Sequence, residues 1–296
     1  MLIPVPYPFS GASRFGLRAS APIALIAIAL CGCSINLGSL SPSAEREEPA
    51  QLTSSSNIAS LTEAIKNNPN DPQAYNMRGS VLAQAGKTEE ALADFNKAVS
   101  LDPNYGQAFA NRGLIYRKTR RLDQAMADYD RALALDGNYA PAWLGRGMVY
   151  KERKQAAEAL EDFNKAISLR PDSAEAYYNR GLLYQGEKQH QLAIDDFTAA
   201  NGLLPQQAEP LLGRALSYLA LDKAKEAAVD LDEAVQADPQ NAQIWITRGL
   251  AYERLGDKTK AAGSYGRAIN LRPKDEAARS GFARVGGKPG QSYDTF

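Results

Sequence analysis

The sequence can be laid on itself with a shift of 34 residues, and this limits the folds open to it more than any other property. Over residues 104–171, Arg112-Gly113 falls on Arg146-Gly147, Tyr116 on Tyr150, Ala125 on Ala159, Tyr129 on Phe163 and Ala132 on Ala166. The same shift carries a turn residue from Pro69 through Pro103, Gly137, Pro171, Pro205 and Pro239 to Pro273. A single globular core has no reason to keep such a spacing, whereas stacked units that touch only their neighbours require it.

Starting each unit three residues after its turn residue gives 72–105, 106–139, 140–173, 174–207, 208–241 and 242–275. The first half of each unit carries Tyr75, Phe109, Trp143, Tyr177, Leu211 and Trp245 at the fourth position. Small residues follow at the eighth, Gly79, Gly113, Gly147, Gly181, Ala215 and Gly249, and Leu82 or a tyrosine at the eleventh. Steps of four and three place these on one helical face. The second half has alanine at the twentieth and twenty-seventh positions, with Phe95, Tyr129, Phe163, Phe197, Leu231 and Tyr265 at the twenty-fourth. Small residues let two helix axes approach and large ones fill the space between, so the pattern specifies antiparallel helix pairs.

These residues resemble the tetratricopeptide repeat, over 72–275 in full and with half units on either side. The resemblance implies an all-α solenoid of six helix-turn-helix repeats, wound as a right-handed superhelix and closed by capping helices. It also implies a concave groove, lined by the first helix of each pair, that binds peptides or proteins. Asp71-Pro72 suits a helix start, as N-cap and first-turn residue. Pro103, Pro171, Pro205, Pro239 and Pro273 end the second helices because proline disfavours helical geometry in the residue before it.

Arginine stands at the seventh position of every unit: Arg78, Arg112, Arg146, Arg180, Arg214 and Arg248. Such a ladder invites an anion-binding reading. Aspartate, however, recurs sixteen residues later at Asp94, Asp128, Asp162, Asp196 and Asp230, with Ser264 the exception. Paired charges bordering the packing stripes favour a structural ladder.

Specificity must therefore lie where the repeat varies. In the family geometry, positions 2, 5, 6, 9, 12 and 13 face the groove. In the second and third units these include Gln107, Asn111, Arg117, Lys118, Lys151 and Glu152, with Arg120, Arg121, Arg153 and Lys154 close by, a locally basic end. Towards the other end they include Tyr178, Asn179, Leu182, Leu212, Leu216, Leu219, Ile246 and Leu250, an apolar strip that is either an open partner surface or packing between repeats, which the sequence does not decide. Such a groove suits a partner segment with acidic and hydrophobic portions. The family's clamp for a C-terminal carboxylate is matched at Asn76 and Asn111 but not at Pro141 and Gly145, where its cationic pair should stand. The fifth unit is the least regular, and Asn201-Gly202 before it is expected to end the preceding helix early.

Outside the array, residues 1–32 read as an export signal: Arg14 and Arg18 precede an apolar run, Ala21 to Leu30, too short to span a bilayer. Leu30-Cys31-Gly32-Cys33-Ser34 resembles a bacterial lipobox, which implies lipidation at Cys33 and anchoring in the envelope of a Gram-negative bacterium. The serine after the cysteine points to the outer membrane, facing the periplasm. Residues 33–56, rich in Ser, Glu and Pro, read as a flexible linker, residues 57–71 as an N-terminal capping helix, 276–285 as a C-terminal capping helix offering Ala278, Phe282 and Val285, and 286–296 as a disordered tail.

Catalysis, metal and cofactors are not expected. The chain has one histidine, His190, and two cysteines, Cys31 and Cys33, and the neighbours Glu89-Glu90 and Asp195-Asp196 point to different parts of a helix surface. Lys and Arg number 34, as do Asp and Glu, so no global field attracts nucleic acid. The expectation is an anchored scaffold for a protein or peptide partner, in the manner of cell-wall enzyme adaptors or pilus and secretion assembly factors. A structural envelope protein, or a groove for glycan or lipid, is the alternative.

Overall fold

The computed structural model describes residues 49–205 and 207–288. Every element in them is helical, and the pairs stack as a right-handed solenoid. The first helix, α1 (Pro49–Asn67), is followed by six pairs: α2 (Pro72–Gln84) with α3 (Thr88–Leu101), α4 (Gly106–Lys118) with α5 (Leu122–Leu135), α6 (Ala140–Glu152) with α7 (Ala156–Leu169), α8 (Ala174–Gly186) with α9 (His190–Leu203), α10 (Ala208–Ala220) with α11 (Ala224–Ala237), and α12 (Ala242–Arg254) with α13 (Lys258–Leu271). A last helix, α14 (Glu276–Arg284), closes the stack. Each first helix packs on its partner and on the first helix of the next unit, which brings the first helices side by side along one face.

The two stripes seat each other. Ala91, Ala125, Ala159, Ala193, Ala227 and Ala261 are fully buried, as are the rings of Phe95, Phe163 and Phe197. A Cβ added at Gly147 would lie 2.8 Å from the Phe163 ring, and one at Gly249 2.7 Å from Tyr265. Ala215 is admitted in the fifth unit because Leu231 opposite it carries no ring. Each buried ring contributes about 1.5–3 kcal/mol over its exposed state.

The turn inside each pair repeats one conformation. Gly86, Arg120, Lys154, Lys188, Asp222 and Gly256 all adopt positive φ, between 56° and 79°. The next amide then reaches back five residues, as from Lys87 N to Leu82 O at 2.9 Å and Gln155 N to Tyr150 O at 2.9 Å. This closes the first helix by satisfying its last carbonyls. Four of the six units do so with a residue that bears a side chain, which costs more than glycine would.

The arginine ladder forms as expected and reaches further. Arg146 Nε and Nη2 donate to the two Asp162 oxygens at 2.8 and 2.9 Å, and the same bidentate pair holds Arg78 to Asp94, Arg112 to Asp128, Arg180 to Asp196 and Arg214 to Asp230. The remaining terminal nitrogen donates backwards, to Thr62, Asn96, Asp130, Asn164 and Thr198 in the preceding second helix. Each guanidinium thus ties three helices together. In every unit but the fifth, where Leu211 stands, it also lies against the aromatic at the fourth position, 4.8 Å from the ring centroid for Arg146 over Trp143. In the sixth unit Ser264 accepts from Arg248 Nη1 at 2.8 Å, and the charge is met by Asp232 of the fifth unit, 2.7 Å from Nε.

The ends are half units. Thr62 on α1 receives Arg78 as a second helix would, and α14 lays Gly281 against Tyr265 as a first helix would. Three expectations need correction. α1 begins at Pro49, not Asn57, so residues 49–56 of the expected linker are helical. α9 runs through Asn201-Gly202 to Leu203 and has the same 14 residues as the other second helices, because Ala200 and Phe197 keep its face buried. Gly286 and Gly287 are not a loose tail: Gly287 N donates to Phe282 O at 2.9 Å and its Cα lies against the Phe282 ring. The signal-like segment 1–32, Cys33 and the tail beyond Lys288 lie outside the described residues. No helix among the described residues is long and apolar enough to cross a membrane.

Candidate functional site: the face lined by the first helices

On α4, α6 and α8 the varying positions converge. Leu114, Leu144 and Met148, with Asn111, Tyr129 and Glu175, line a cleft of about 180 Å³. Gly145 opens it: a Cβ there would sit 2.5 Å from the Tyr129 hydroxyl, so glycine is what lets that ring pass between helices to the cleft floor. Burial pushes the Tyr129 hydroxyl well above its ordinary pKa, and the nearby Arg117 guanidinium opposes the shift only in part. Tyr129 was read in the sequence only as packing. The signal was Gly145, sixteen residues after a tyrosine at the ring position, repeated at Gly281 after Tyr265.

One turn along, Arg117 Nη1 and Arg120 Nη1 each donate to one oxygen of Glu152 at 2.8 Å. Arg117 Nε is buried without an acceptor. Lys151 Nζ donates to Asn179 Oδ1 at 2.6 Å, and Asn179 in turn donates to the Glu175 carbonyl at 2.9 Å. Burial, and then Arg117, lower the Lys151 pKa below its usual value. Asn111 donates to Asn76 at 2.9 Å, which donates to the Tyr105 hydroxyl at 3.1 Å. Lys118 is exposed.

The locally basic end is therefore less open than expected. Arg153 is paired with Asp123 and Arg121 with Glu89 at 3.7 Å, leaving Arg117 and Lys151 of that group facing inward, while Arg170 lines the cleft itself. The apolar strip is also not one surface. Leu219 and Ile246 are buried in the core of the last two units, Leu212 and Leu250 are half-buried against it, and Asn179 is buried as a structural amide. Tyr178 packs on Phe197 with ring centroids 5.9 Å apart, and Leu182 beside it is half-buried. Of the strip's leucines only Leu216, 38% exposed, stands in solvent.

Among the acidic neighbours, Asp196 is committed to Arg180 and Glu90 to Lys87. His190 is the first residue of α9 and its Nδ1 has no partner. No group of three metal-ligating side chains occurs among the described residues.

Tetratricopeptide-repeat family models match residues 72–105 and 106–139, 174–206, and 212–276, and a TPR repeat model matches 147–187. Among solved structures, PilF of Pseudomonas aeruginosa is 24% identical over 72% of this chain and 97% of its own, with a TM-score of 0.66. PilW, described as a type IV pilus biogenesis factor, is 17% identical over 71% of this chain and 97% of its own, with a TM-score of 0.64. The Cut9–Hcn1 structure of the APC/C matches at 18% identity and a TM-score of 0.68 over 78% of this chain, but this chain spans only 46% of that one. No curated protein matches. The fold is that of a protein-interaction scaffold, and none of the matching family models is an enzyme's. With family matches through the array and fourteen helices among the described residues in the paired order described above, the chain belongs to the tetratricopeptide-repeat family.

Proposed function

We propose that this chain is a lipid-anchored scaffold of a Gram-negative cell envelope, held through Cys33 at the outer membrane, that binds a polypeptide partner on the face lined by its first helices. The observation that carries the binding reading is the cleft between α4, α6 and α8, where recurring packing residues give way to Asn111 and Gly145, with the cations Arg117 and Lys151 one turn along the same helices. The lipobox-like Leu30-Cys31-Gly32-Cys33 supports the anchor. The likeness to PilF and PilW supports a role in assembling an envelope machine such as a pilus, with adaptor service to a cell-wall enzyme as the neighbouring option.

In-cell crosslinking followed by mass spectrometry tests the scaffold: one dominant protein partner is expected, and lipid or glycan adducts without a protein would overturn it. Replacing Cys33 by Ser should move the protein from the membrane to the soluble fraction. Continued membrane association of that variant would refute anchoring through this thiol.

A further inference from the structure

We infer that Arg117, Lys151 and the cleft beside them form a subsite for an acidic side chain and the apolar side chain next to it, on an extended segment of the partner. The inference rests on the groove reading above and names the chemistry that groove selects.

Leu114 and Arg117 lie three residues apart on α4, as do Met148 and Lys151 on α6, so the apolar wall and the cations share one face and differ by one turn. The cations hold donors that nothing in the chain uses. Arg117 Nε is buried without an acceptor, and Lys151 spends one of its three N–H groups on a neutral amide oxygen. Glu152 is shared between Arg117 and Arg120, so one carboxylate answers two guanidinium groups, while Lys151 meets only the Asn179 amide oxygen. The structural ladder differs, since the arginines of the first five units donate there from Nε and from both terminal nitrogens. Buried donors left unspent favour a ligand that brings the acceptors.

The acceptor that fits is a single carboxylate. Glu152 and Glu175 flank the site, so a polyanion would meet them as well as the cations. Glu175 and Arg170 both line the cleft, so charge there is balanced, and the unspent donors that draw an acidic residue lie one turn along, at Arg117 and Lys151. The cleft of about 180 Å³, walled by Leu114, Leu144 and Met148, then takes one apolar side chain.

The test pans a random dodecapeptide display library on the full chain. Enriched peptides should carry Asp or Glu beside a large apolar residue. Affinity of the synthetic consensus peptide should fall about tenfold or more when its acid is changed to Gln, and equally in the R117Q/K151Q protein. Leu144→Trp, which fills the cleft and leaves the charges in place, should abolish binding of the same peptide, and thermal midpoints report that each variant is folded. Peptides that lose binding in L144W or L216D, yet show no acidic residue and ignore R117Q/K151Q, would sink this subsite and leave the groove standing. A library that enriches nothing, or only peptides indifferent to all these substitutions, would sink both.

Discussion

The third and sixth units place an arginine at the same point of the repeat and settle its charge differently. Arg146 holds Asp162 in its own unit and Asp130 in the preceding one, and its side chain keeps 18% of its exposure. Arg248 finds only Ser264 in its own unit, is 2% exposed, and depends on Asp232 of its neighbour, which Tyr252 also bonds at 2.7 Å. The third unit could thus keep its own ion pair if parted from its neighbour, whereas the sixth could not. A repeat can look uniform in sequence and still distribute its charge compensation unevenly.

The largest effect that would break this contrast is Arg146→Ala. It strands Asp162, whose side chain is 3% exposed, and should cost about 3–5 kcal/mol in chemical denaturation. Next, Asp232→Asn should cost about 2–4 kcal/mol by leaving Arg248 without a carboxylate, whereas Asp130→Asn, with Asp162 still in place, should cost less than about 1 kcal/mol. The double variant Asp232→Asn with Ser264→Asp rebuilds the arrangement of the earlier units and should recover most of the loss, so a double-mutant cycle with no coupling would refute the shared compensation. A smaller effect separates the turns. Lys154 in the third unit has φ 61° where Gly256 serves the sixth, so Lys154→Gly should raise stability by about 0.5–1 kcal/mol. Smallest of all, Leu216→Asp on the exposed face should change stability by no more than about 0.5 kcal/mol while weakening partner capture in the crosslinking assay. Unfolding ahead of lost capture would show the side chain to be core.

The sequence disclosed what recurs. Alanine, glycine and ring positions sit where two helices of one unit meet, so their spacing alone reports the packing, and the Arg–Asp separation of sixteen reports the ion pair. The backward acceptors were not legible, because Thr62, Asn96, Asp130, Asn164, Thr198 and Asp232 share only the ability to accept a hydrogen bond. Their consistency appears once Gly266 is noticed at the same place in the last unit, where Phe282 stands instead of an arginine. Exposure at the varying positions was legible only in part. Whether Leu219 or Ile246 is open depends on the size of residues one unit away, and a periodic pattern holds no record of that. The start of α1 was missed for a related reason: Pro49 to Ser56 lacks an apolar stripe that would announce a helix.

Each guanidinium of the ladder reaches back into the preceding unit and none of the six reaches into the following one, which gives the stack a polarity. Peeling away the last unit returns an aspartate, asparagine or threonine to water, where it is readily solvated. Peeling away the first removes an acceptor from an arginine that stays partly buried. Under a pulling force or in mild denaturant, the array should therefore unzip from its C-terminal end, the end farther from Cys33.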